Sequence, residues 1–126
     1  MNAIDPRRPL VAVICSVPML VEAVTSALEF AEVRAFSGDH GDTPGLLRWL
    51  RPDAVIVDSD VDASEAAEFA TDRDLPIVHI SLRERAVRVF LAGEWTVVDS
   101  DDEGPTPQQI RNVVAGTLFA REAGLP

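Results

Sequence analysis

The chain predicts a single doubly wound, three-layer α/β domain on a five-stranded parallel sheet. Three observations carry this. Apolar runs of strand length alternate with stretches of helical periodicity from end to end. The connections between them are short, which implies parallel strands joined by right-handed crossovers. The 126 residues are 47% hydrophobic, enough for one domain (1–126, core about 8–120) with a real core.

Pro9 to Cys15 (PLVAVIC) is apolar on both faces, as a central strand covered by helices on each side must be. Ser16-Val17-Pro18 then signals a helix start with proline in the first turn. Leu20, Ala23, Val24, Ala27 and Leu28 give that helix one apolar face. Glu32 to Phe36 alternates and reads as a strand towards the sheet edge. After the polar loop Ser37 to Asp42, Thr43-Pro44 opens a short helix that Arg51-Pro52 stops. Ala54 to Val57 is the third strand. Asp62 and Glu65 have capping-box spacing and predict an Ala-rich helix to Thr71. Pro76 to Ile80 is the fourth strand. Ser81 and Glu84 again match a capping box, and Val87, Phe90 and Leu91 predict a fourth helix that Ala92-Gly93 ends. Trp95 to Val98 is the fifth strand. Thr106, Pro107 and Gln109 start the last helix, with Ile110, Val113, Val114 and Leu118 on one face.

The formal charge of −10 repels phosphate backbones and anionic lipid, so neither direct nucleic-acid binding nor membrane binding is expected. One cysteine, Cys15, allows no intrachain disulfide and suits a reducing cytosol. The apolar run after the N-terminal charges is too short to span a membrane, so a cytoplasmic location is expected. No Gly-rich phosphate loop follows the first strand, and no Ser-His-Asp, Cys-His or HExxH arrangement is legible. No enzyme activity, cofactor or dedicated metal site is expected.

The run Asp53-Ala54-Val55-Ile56-Val57-Asp58 ends a buried strand in a carboxylate, where open α/β sheets gather their chemistry. Over roughly residues 8 to 120 the chain resembles the receiver domain of bacterial response regulators, a flavodoxin-like fold. Arg51 to Asp58 is similar to the receiver's third strand, with Asp58 at the phospho-acceptor position. Leu75 to Ser81 is similar to its fourth, with Ser81 at the hydroxyl position that senses the phosphoryl group. Val11 to Ile14 and Thr106 to Ile110 are similar to the first strand and the start of the fifth helix.

The departures matter as much as the likeness. Receivers hold Mg²⁺ with paired acids after the first strand, where this chain has Cys15 and Ser16. They end the fifth strand in a Lys, where this chain has Asp99. The aromatic of their fifth strand falls at Thr96, beside Trp95. Phosphoryl transfer to a carboxylate needs a cation to offset crowded oxygens. Two like charges at ~4 Å in an effective dielectric of ~20 cost on the order of 4 kcal/mol. The resemblance therefore implies a degenerate pocket formed by Cys15, Ser16, Asp58, Ser81 and Asp99.

Asp58, Asp60 and Asp62 alternate as at the start of a calcium loop, but Ala63 and Phe69 stand where that loop takes Gly and Glu. They read better as a solvated acidic rim with Asp99, Asp101, Asp102 and Glu103. Ser81 reads as a helix cap and His79 as a packed strand residue. Arg83, Arg85 and Arg88 would give the fourth helix a basic face, beside the acidic loop Asp99 to Glu103 that contains Asp101. With Trp95, these residues suggest an interaction surface for protein partners, including a homodimer through the fourth helix, fifth strand and fifth helix.

The expected function is a non-catalytic pseudo-receiver, a protein-interaction module of bacterial signalling or transcriptional regulation that works without conventional Asp phosphorylation. The alternatives are an atypical receiver phosphorylated on Asp58 and a small flavodoxin-like ligand-binding protein. No helix-turn-helix follows the last helix, so this chain by itself is not expected to read DNA.

Overall fold

The computed structural model describes residues 9–36, 41–98 and 106–122, with side chains in the last stretch to residue 118. Its elements run β1 (Leu10–Ile14), α1 (Pro18–Ala27), β2 (Glu32–Phe36), α2 (Thr43–Leu50), β3 (Ala54–Val57), α3 (Asp60–Ala70), β4 (Ile77–Ser81), β5 (Ala86–Leu91), β6 (Glu94–Val98) and α4 (Pro107–Glu122). The sheet is six-stranded, in the order β2-β1-β3-β4-β5-β6. β1 pairs in parallel with β2 and β3, and β3 with β4. β5 and β6 are antiparallel to their neighbours.

The three layers are as the sequence predicts, but the all-parallel five-stranded sheet is not. The error lies in one stretch, where residues 82–91 form a turn and strand β5 in place of a fourth helix. The capping-box bond does form, with the Glu84 amide donating to Ser81 Oγ at 3.2 Å. It nucleates a single turn that Arg85, at φ 53°, terminates. Beyond it Val87, Val89 and Leu91 alternate with Arg88 and Phe90, and β-branched residues at period two favour a pleated strand. Ala92 and Gly93, read as a helix end, have φ of 56° and 83° and make the two-residue turn of a β5–β6 hairpin.

A smaller correction concerns α3. Its N-cap is Ser59, whose hydroxyl accepts from the Asp62 amide at 3.0 Å, so the helix begins before the predicted Asp62–Glu65 box.

Alternation along the central strands splits the core in two. Val11, Val13, Ile56, Val78 and Ile80 face α1 and α4, where Leu20, Val24, Ile110 and Val114 close over them. Ala12, Ile14, Val55, Val57 and Ile77 face α2 and α3, meeting Leu47 and the small side chains Ala63, Ala66, Ala67 and Ala70. Because α1 leaves β1 on one face and α2 leads into β3 on the other, a crevice opens outside the carboxyl ends of β1 and β3, as at the switch point of doubly wound sheets. At the opposite end of these strands Asp53 ties them together. Its carboxylate accepts from the Leu10 amide at 2.8 Å and its own amide donates to the Leu10 carbonyl at 2.7 Å.

Candidate functional site

The register Ile14↔Val57 brings the residues following β1 beside the residue following β3. There Cys15, Ser16 and Asp58 meet. The Asp58 carboxylate accepts from the Ser16 amide at 3.0 and 3.1 Å, the Ser16 hydroxyl at 3.3 and 3.4 Å, and the Val17 amide at 3.3 Å. Val17 is the N-cap of α1 and its apolar side chain caps nothing, while Pro18 follows without an N–H. Asp58 thus supplies across the chain the acceptor that a local Ser or Asp would have provided, at the helix end whose dipole favours negative charge.

Cys15 is buried, 2% exposed, and its amide donates to the Phe36 carbonyl. Burial, then the nearby Asp58 and Asp62 charges, push its thiol well above the ordinary range. It packs in the core with its thiol held towards the protonated form.

Below this group, Thr43 at the start of α2 donates its hydroxyl to Asp62 at 3.2 Å, with both side chains buried. The middle and last acids of the Asp58-x-Asp60-x-Asp62 pattern therefore separate, Asp62 turning inward and Asp60 outward. Among the described residues no group of three or more His, Cys, Asp or Glu is arranged to hold a metal ion. Among the described residues, the donors do not fit the Mg²⁺ that the receiver likeness implies, since Asp58 is engaged by Ser16 and Val17 and neither Cys15 nor Ser16 supplies a carboxylate. Ser81 ends β4 at the same rim, its hydroxyl held in the turn bond with Glu84. Asp99 and Asp101 lie outside the described residues.

A second feature was not legible as a site. Where a fourth helix was expected, the sheet face of β4–β6 stands open beside α3, forming a groove of about 460 Å³. Its floor is the row His79–Arg88–Val97. Asp60 approaches His79 Nε2 at 3.5 Å, Glu84 pairs with Arg88 at 2.7 Å, and Trp95 meets the His79 ring edge-on at 6.2 Å between centroids. Burial is the main influence lowering the His79 pKa, against the opposing pull of Asp60. Of the predicted interaction residues, Arg88 and Trp95 meet in this groove. Arg83 and Arg85 lie in the exposed turn before β5, so the basic helix face does not exist. The signal that could have found the groove was the Ala-Gly pair between two β-rich runs, a hairpin mark.

No protein-family model matches the chain, and no curated protein does. Among solved structures, the fold is similar to the response regulator PhyR from Brucella abortus, with a TM-score of 0.65 and 18% identity over 93% of this chain. This chain spans 50% of that protein's length. The chain therefore has a receiver-like α/β fold, as its strand-end Asp58 suggested. Among the described residues no helix is long and apolar enough to cross a membrane.

Proposed function

We propose that this chain is a receiver-fold protein-interaction module of signalling or transcriptional regulation that works without phosphorylation of Asp58. The supporting observation is the engagement of Asp58: both carboxylate oxygens accept hydrogen bonds from the Ser16 and Val17 segment. An acceptor carboxylate must present one oxygen to an incoming phosphorus and share the resulting charge with a cation. Here an attack would first strip the start of α1 of its acceptor, and Cys15 and Ser16 offer no carboxylate for Mg²⁺. What remains is a rigid scaffold whose surfaces are set by folding rather than by a covalent switch.

Incubation with a small-molecule phosphodonor and Mg²⁺, followed by intact mass measurement, tests this. The expected spectrum shows the unmodified mass only. A phosphoryl adduct lost in an Asp58→Ala variant would overturn the proposal in favour of an atypical but active receiver.

A further inference from the structure

We propose that β6 is a homodimerisation edge, along which two copies of this chain pair their sheets about a two-fold axis through Thr96. The proposal does not rest on the reading of Asp58, because it uses the far edge of the sheet and holds equally for a phosphorylatable chain.

β6 is the last strand of the sheet, and its only strand neighbour among the described residues is β5. Edge strands of folded proteins are normally guarded by Lys, Pro, bulges or inward charges. The five residues of β6 carry none of these, and its one charge, Glu94, stands at the end beside the turn. The chain has no lysine at all. The opposite edge, β2, shows the contrast, with the exposed pair Glu32–Arg34 at 2.9 Å. A two-fold pairing centred on β2 would set Arg34 against its own copy.

Hairpin geometry decides which backbone groups β6 offers. Leu91 and Glu94 flank the two-residue turn, so they exchange both their backbone bonds, and the ladder alternates from there. Glu94, Thr96 and Val98 therefore spend their N–H and C=O on β5, while Trp95 and Val97 turn theirs to the free edge.

An antiparallel pairing with its axis perpendicular to the sheet keeps each face on its own side. Centred on Thr96, it sets Trp95 opposite Val97 of the second copy, Thr96 opposite Thr96, and Glu94 opposite Val98. Outward groups then meet outward groups in four N–H···O=C bonds. No like charges oppose each other within the strand, and each Trp95 gains a β-branched cross-strand partner, a favourable pair. Trp95 is 40% and Val97 65% exposed in the single chain, and both are covered by this arrangement. On the groove face Trp95 already packs on Phe90 at 5.2 Å, so the aromatic row continues across the axis. An interface this small belongs to the weak, concentration-dependent class.

Light scattering over a concentration series tests the association, and two variants test the geometry. Thr96→Lys puts like charges on the axis, and Val97→Pro removes an outward N–H that β5 does not use. Each should weaken dimerisation about tenfold or more while leaving the circular dichroism spectrum unchanged. Thr96 opposite Thr96 is a non-hydrogen-bonded pair, with Cα atoms about 4.5 Å apart, within disulfide range. The Thr96→Cys variant should therefore form a covalent dimer under mild oxidation, with buried Cys15 not competing. A wild-type chain that stays monomeric to about 1 mM overturns the proposal. So does a dimer indifferent to both edge variants, or a Thr96→Cys chain that does not cross-link.

Discussion

Asp58 shows how one side chain can tie two elements of a fold together. Its carboxylate bridges β3 to the start of α1 through Ser16 and Val17. Hydrogen bonds to a charged group contribute about 1.5–3 kcal/mol, and losing a helix cap costs about 0.5–2 kcal/mol. Because Asp58 is only partly buried, the expected cost of Asp58→Ala is about 1–2 kcal/mol, read as a lower urea midpoint with an unchanged m-value. Asp58→Asn keeps one acceptor oxygen and should fall between the two. A carboxylate with no structural duty would leave the midpoint unmoved in both variants. Asp58 was legible in the sequence as the end of a buried strand. What it does there was not, because its shorter bonds are to backbone amides more than forty positions away, and amides carry no residue signature. Cys15 and Ser16 were legible as departures from the receiver pattern, and the register of β1 on β3 turned them from departures into neighbours of Asp58.

At the scale of elements, the instructive segment is β5–β6. Capping signals at Ser81 and Glu84 and the apolar spacing of Val87, Phe90 and Leu91 favour a helix. The period-two run Val87, Val89, Leu91 favours a strand, and the hairpin decides between them by pairing both strands with the sheet. Short apolar runs are ambiguous in just this way until tertiary partners are known. The turn carries a cost, since Ala92 holds φ 56°. An L-residue other than Asn or Asp loses roughly 1–2 kcal/mol in the left-handed region. Asn-Gly is the preferred pair for this turn. Ala92→Asn is therefore expected to raise stability by about 1 kcal/mol, a rise of a few degrees in Tm by calorimetry. The parallel elements β1 to β4 with α1 to α3 were readable because β1, β3 and β4 are apolar on both faces and β2 alternates as an edge strand does. The antiparallel end of the sheet was marked only by the weaker signal of the Ala92-Gly93 pair between two β-rich runs.

For the whole molecule, the question is whether this receiver-like fold couples its stability to a divalent ion. A ligand that binds only the folded state stabilises it by RT ln(1 + [L]/Kd), about 2.7 kcal/mol at a hundredfold excess over Kd. A pocket holding Mg²⁺ at Kd of about 0.1 mM would thus move the unfolding midpoint by several degrees at about 10 mM. The chain also carries a net charge of −10, so any divalent cation should relieve some repulsion without a site. The two effects separate by ion size. Mg²⁺ demands near-ideal octahedral oxygens, whereas diffuse screening treats Mg²⁺ and Ca²⁺ alike. With Asp58 committed to the start of α1 and Cys15 protonated, the rise in Tm should be equal for the two ions at equal ionic strength. The increment should also be the same in Asp58→Ala, measured from that variant's own lower baseline. A Mg²⁺-specific increment that disappears with the Asp58 carboxylate would show that the crevice at the ends of β1 and β3 holds a metal. The hydrogen bonds from Ser16 and Val17 would then be one of two states of that carboxylate, exchanged for the ion when it binds.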